Sequence, residues 1–151
     1  MSEQVKNKIS TLFPTFTFED GGEFLTLKVK AEEFMPLVLF MKNDAELNFD
    51  YLFCITGVDW KTHLSVVYHF SSNSFRHAIV VKVDLTDREK PNVDSLANLY
   101  RTAEFHEREV FDLFGVKFNG HPDLRRLFLT DEWVGYPLRK DYDDPINIIK
   151  L

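Results

Sequence analysis

The sequence predicts an α+β fold: a two-layer, mostly antiparallel sheet with helices on one face, followed by an extended C-terminal arm. Three observations carry the prediction. Segments of alternating hydrophobicity are joined by short turn signals, as in antiparallel strands with one face in the core. Segments with apolar residues three and four apart stand before, between and after them, as in amphipathic helices. Beyond Gly115 neither period persists, although large apolar residues do. A chain of 151 residues buries about two-thirds of its unfolded surface in a single domain, so the fold needs no covalent or metal staple.

The first predicted helix, 2–12, carries Val5, Ile9 and Leu12 on one face and is stopped by Pro14. Residues 15–18 and 23–30 alternate around Gly21-Gly22, a hairpin signal because glycine takes positive φ freely. A second helix, 32–42, lines up Phe34, Leu37, Val38 and Met41, with Ala45 continuing the stripe. Three strands follow. Residues 49–58 are nearly all apolar, as a strand covered on both faces would be. Residues 63–70 and 75–85 alternate and are joined by a turn at 71–74, and His69 and His77 are expected to face each other across this hairpin. After a polar loop, 86–92, Asp94 or Ser95 caps a last helix with Leu96, Leu99, Ala103, Val110 and Phe114 buried and Gly115 as its C-terminal cap. Residues 1–115 form the domain and 116–151 the arm.

Composition removes several classes of function. The single cysteine, Cys54, excludes an internal disulfide, a paired-thiol redox site and a cysteine-rich metal site, and points to a reducing compartment. No run of about 18 apolar residues spans a membrane, and MSEQVKNKIS lacks the apolar centre of a secretory signal. The net charge of −6 argues against nucleic acid as a partner. Residues 1–115 hold 12 basic and 18 acidic side chains, whereas 116–151 hold 6 of each. An arm with balanced charge and interleaved apolar anchors has the character of an interface.

Chemistry-bearing residues are densest at 104–115. Glu107 falls on the buried stripe and requires a partner, for which Arg125, Arg126 and Arg139 are candidates. Arg108, Glu109 and Asp112 sit at helical pair spacings on the other faces. The five histidines form no zinc spacing, and there is no phosphate-binding glycine loop and no nucleophile elbow. His121 reads as a turn residue bonded to backbone or carboxylate. An independent enzyme using Glu107 and His121 as an acid/base pair is the remote alternative. The arginines at 125, 126 and 139, with Lys140, lie among apolar anchors, which favours a protein interface over phosphate binding.

The run EREVFDLFGVKFNGHPDLRRLFL, followed by DEWVGYPLRKDY, resembles the signature of the 30-kDa subunit family of respiratory complex I, known in bacteria as the C subunit of NADH-quinone oxidoreductase. FDYLFCITGVDW, 49–60, is similar more loosely. Phe105 and Val134 depart from the pattern, which usually has tryptophan and an acidic residue there. The chain ends nine residues after Tyr142, so a longer C-terminal extension is expected to be missing. The resemblance implies a structural component of the peripheral arm, inert alone, with no cofactor of its own. FMN, iron–sulfur clusters and quinone would belong to partner subunits. It would lie on the cytoplasmic face of a bacterial inner membrane, docked on the homologue of the D subunit beside the quinone cavity. The motif positions expected at that interface are Glu107, Arg108, Glu109, Asp112, Gly115, Gly120, His121, Pro122, Leu124, Arg125, Arg126, Trp133, Gly135, Pro137, Leu138, Arg139, Lys140, Asp141 and Tyr142. The arginines, Lys140 and Asp141 would make ion pairs, while Leu124, Trp133, Pro137, Leu138 and Tyr142 would fill pockets of the partner. An equivalent component of a complex I-related membrane-bound hydrogenase or ferredoxin-linked complex is the alternative.

Overall fold

The computed structural model describes residues 2–19 and 22–146. Helix α1 (Ser2–Leu12) leads into strand β1 (Thr17–Glu19), which pairs antiparallel with β2 (Leu25–Lys30). Gly21, half of the predicted hairpin turn, lies outside the described residues. Helix α2 (Ala31–Asn43) follows, then the meander β3 (Tyr51–Asp59), β4 (Leu64–Ser71) and β5 (Ala78–Leu85). The five strands run in the order β1-β2-β5-β4-β3, and every pair is antiparallel except β2 with β5. That exception follows from the connection: β2 reaches β5 through α2 and the meander, which restores its direction, and not through a hairpin.

All the helices lie on one face of the sheet. Val5 and Ile9 of α1, Phe34, Leu37, Val38 and Met41 of α2, and Ala103 and Val110 of the last helix close over Leu27, Val29, Ile55, Val66, Tyr68, Phe70, Ile79, Val81 and Val83. The period of 2 puts alternate strand residues on that face. Asp44 ties two of the helices together: its carboxylate accepts from Lys8 Nζ at 2.7 Å and from the amides of Glu46 and Leu47. Ala45 lies past the end of α2 and is exposed.

Several sequence expectations are corrected. The last helix, α3, is Ala103–Phe114 and does not reach back to Asp94. Residues Asn92–Asp94 instead form β6, which pairs in parallel with β7 (Lys117–Asn119). The region beyond Gly115 therefore contains a strand, too short to show a period. Strand β5 starts at Ala78, and Phe75 stands exposed in a loop that Arg76 turns with a φ of 52°. His69 consequently faces Val80, while His77 bonds the carbonyl of Leu47 at 2.7 Å.

Strand β3 is an edge strand and is not covered on both faces. Backbone groups of β3 and of the residues leading into it are met by α3 and the segment entering it. The Thr102 hydroxyl donates to the Leu52 carbonyl at 2.6 Å, the Tyr100 hydroxyl to that of Phe49 at 2.7 Å, and the Ile55 amide to His106 Nδ1 at 3.4 Å. Helix α3 thus lies along the edge, protecting it from pairing with another chain, and its other side is turned toward the C-terminal residues.

Candidate functional site

The polar residues singled out in the sequence gather where α3 meets residues 121–142. Helical spacing puts Arg108 and Asp112 on one side of α3, and both are buried. Arg108 donates from Nε and Nη2 to the carbonyls of Arg125 and Arg126. The Asp112 carboxylate accepts three successive amides, those of Leu127, Phe128 and Leu129, at 3.0, 2.6 and 3.0 Å. Arg126 closes the site. Its Nη1 donates to the Asp112 carboxylate and carbonyl, and its Nη2 to the carbonyls of Trp133 and Gly135. Burial alone would raise the Asp112 carboxyl, but the amides of Leu129 and Phe128, the Arg126 guanidinium and the amide of Leu127 hold it below its ordinary value.

A second clasp holds the segment near its far end. Asp59, buried at the end of β3, accepts both nitrogens of Arg88 together with the amides of Lys61 and Lys140. These donors, Arg88 first, hold its carboxyl well below the usual carboxylate range against the effect of burial. Arg88 reaches on to Asp141 at 3.1 Å. Arg139 donates from Nε to the Phe114 carbonyl at 2.6 Å and from Nη1 to the Arg88 carbonyl at 3.0 Å. Both Arg126 and Arg139 lie against the Tyr136 ring, 5.3 and 5.0 Å from its centre. Tyr136 in turn packs on Gly115, which ends α3 with a φ of 73°. A Cβ there would strike the ring, so this glycine serves the turn and the contact together.

Glu107 is fully buried, and its partner is none of the three arginines. It accepts from the Ser95 hydroxyl at 2.5 Å and the Leu96 amide at 2.6 Å. Burial pushes its carboxyl up to about 7, against the pull of those two bonds. His121 lies 3.9 Å away, also with no exposed side-chain surface. Its Nε2 lies 2.9 Å from the Glu104 carbonyl, and its Nδ1 accepts from the Asp123 amide. Both ring nitrogens are committed, and the pair has no access to a substrate. Among the described residues no three His, Cys, Asp or Glu side chains converge as a metal-binding set.

The remaining positions divide by exposure. Gly120, Pro122, Arg125, Leu138, Lys140, Asp141 and Glu109 are exposed, while Leu124, Trp133, Pro137 and Tyr142 are half-buried against the chain itself. Among the described residues Arg125 pairs with Asp123, at the surface, a contact of small energetic weight. Tyr142 packs under Gly135. Phe105, Phe128, Val134 and Leu138 stand outward, between 52% and 86% exposed. Sequence reading missed Asp59, Arg88, Ser95 and Tyr136. Asp59 and Tyr136 lie within the quoted motifs and Arg88 sits in an ordinary polar context, whereas the sequence offers Ser95 as a helix cap and not as the partner of Glu107.

Comparison with known proteins decides the family. The family described as respiratory-chain NADH dehydrogenase, 30 Kd subunit, matches residues 27–145, from within β2 through the segment laid on α3. The chain belongs to this 30-kDa subunit family. It is 41% identical over 133 residues to the NADH-quinone oxidoreductase C subunit of Chloroherpeton thalassium, a match that takes in 87% of this chain and 51% of that one. It is 44% identical over 126 residues to the NADH-quinone oxidoreductase C/D subunit of Phocaeicola vulgatus, covering 83% of this chain and 24% of that protein. The chain therefore spans about half or less of the length of these two relatives. With the C subunit of Acidothermus cellulolyticus it shares 37% identity over 150 residues, 93% of this chain and 77% of the relative.

Two solved structures share the fold of this chain. The trypsin-resistant fragment of Nqo5 superposes with a TM-score of 0.71 at 28% identity, covering 82% of this chain and all of that one. A polypeptide of a membrane-bound sulfane sulfur reductase, an archaeal respiratory membrane complex, superposes with a TM-score of 0.80 at 29% identity, covering 95% of this chain and 86% of that one. No described helix is long and apolar enough to cross a membrane.

Proposed function

We propose that this chain is a structural, non-catalytic component of the peripheral arm of an NADH:quinone oxidoreductase. It docks on the homologue of the D subunit and supports electron transfer from NADH to quinone without holding a cofactor. The observation that carries the reading is the family match through residue 145, on a chain whose candidate acid/base pair is sealed from solvent. FMN, the iron–sulfur clusters and quinone belong to partner subunits. The relative named as a C/D subunit supports the choice of partner, since its name joins the two in one protein. The docking element is the outward side of residues 116–142, where Phe128, Val134 and Leu138 are exposed while Arg126 and Arg139 face the chain's own backbone. The complex sits on the cytoplasmic face of the bacterial inner membrane.

The likeness to the sulfane sulfur reductase polypeptide favours a second reading, an equivalent component of a related hydrogenase or ferredoxin-linked complex. One experiment separates the two. The tagged full chain is recovered from solubilised membranes and its partners are identified by mass spectrometry. The first reading expects a homologue of the D subunit together with a flavin-binding NADH dehydrogenase subunit. Recovery with hydrogenase or ferredoxin-dependent subunits selects the second, and recovery with neither set overturns both.

A further inference from the structure

Helix α3 has three sides in use and one that is not. Ala103, Glu107 and Val110 face the core, Thr102 at its entry and His106 meet the β3 edge, and Arg108 and Asp112 hold residues 125–129. The side left over carries Phe105, Glu109 and Leu113, four residues apart and therefore in one row. Phe105 is 57% exposed and Glu109 is exposed. Glu109 has no hydrogen bond or ion pair among the described residues, whereas Arg108 beside it, Asp112 and Glu107 all have theirs.

The row is bordered by more exposed apolar surface. The Phe128 amide is pinned to Asp112 at 2.6 Å and the Leu138 amide to the Leu113 carbonyl at 3.1 Å. Both residues thus emerge beside the last two turns of α3, 65% and 52% exposed. The result is an acid set among Phe105, Leu113, Phe128 and Leu138, on a helix whose buried carboxylates are both paired. A lone charge inside an apolar rim is matched by an opposite charge brought by the surface that covers the rim, because the same burial that excludes water strengthens the pair.

We propose that this row is a docking surface for a partner subunit that presents an arginine or lysine flanked by apolar side chains, with Glu109 as its ion-pair partner. The inference rests on the reading under Proposed function and adds the chemistry of the contact. Glu109 lies outside the bonds that hold the fold, so it sets recognition and not stability.

The test compares the tagged full chain with its Glu109→Gln, Glu109→Lys and Phe105→Ser variants. Each is recovered from solubilised membranes at matched expression, and each is melted as an isolated chain. The expected result is partner recovery reduced severalfold in Glu109→Gln and tenfold or more in Glu109→Lys and Phe105→Ser, with melting temperatures within about 2 °C of the parent. Recovery within twofold of the parent in Glu109→Lys overturns the proposal, as does a large drop in that variant's own melting temperature. A parent chain that self-associates in isolation and is made monomeric by Glu109→Lys overturns it in favour of a second copy as the occupant. If the parent recovers no oxidoreductase subunit, the underlying functional reading itself fails, a result distinguishable from all of these.

Discussion

At the scale of single residues, two buried carboxylates on one helix behave oppositely because of what surrounds them. Asp112 faces three amides and a guanidinium and stays ionised; Glu107 faces one amide and one hydroxyl and is pushed up to about 7. Asp112→Asn leaves Arg126 buried without its counter-charge and turns an amide donor toward backbone donors. It should cost about 3 kcal/mol in urea unfolding, the scale of breaking a buried pair from one side. For Glu107, the folded state binds its proton more tightly than the unfolded chain does. Stability from this group is therefore present below about pH 4.5 and is lost as pH rises toward 7, by up to about 3 kcal/mol. His69, whose imidazole burial lowers, works in the opposite direction, so the measurement is a difference. The melting temperature of Glu107→Gln minus that of the parent should rise between pH 5 and pH 8, and a flat difference would contradict the account. That Glu107 is buried was legible from its place on the apolar stripe. Its partner was not, because Ser95 comes to it through a turn that no helical period describes.

At the scale of elements, the sheet, α1 and α2 were legible because each buries one long periodic face. The start of α3 and the strand pair β6–β7 were not. Leu96, Leu99 and Ala103 share a helical spacing, yet Val93 pairs its strand with that of Phe118 and both are buried, so tertiary contact overrides a local period. Gly115 was legible as a cap, but its second role, making room for Tyr136, depends on a residue 21 positions on. A paired substitution separates the two roles. Gly120 also has positive φ, 79°, but a Cβ there meets nothing within 4 Å. Gly120→Ala should lower stability by about 1 kcal/mol from backbone strain alone, and Gly115→Ala by at least about 2 kcal/mol more once the clash is added. Equal losses in thermal melts would mean that Tyr136 is not held against the helix end.

At the scale of the whole molecule, two of the three arginines of residues 116–151 turn inward. Sequence reasoning assigned Arg126 and Arg139 to a partner's ion pairs; the structure directs both to carbonyls of the chain itself, with Asp112 as the counter-charge of Arg126. Nothing in composition distinguishes an arginine that binds its own backbone from one that binds a neighbour. The apolar surface proposed for a partner lies on α3 and on the segment bonded to it, so it is in position before any partner arrives. Such preorganisation reduces the ordering cost of association.

The central claim is that the C-terminal segment is part of the fold, presenting its outer side for docking. Amide hydrogen exchange on the isolated chain tests it most directly. The account predicts that the amides of Leu127, Phe128, Leu129, Leu138 and Lys140, each bonded to α3 or β3, exchange as slowly as those in the middle of α3. Exchange of these five at the rate of an unstructured chain, while α3 stays protected, would contradict it.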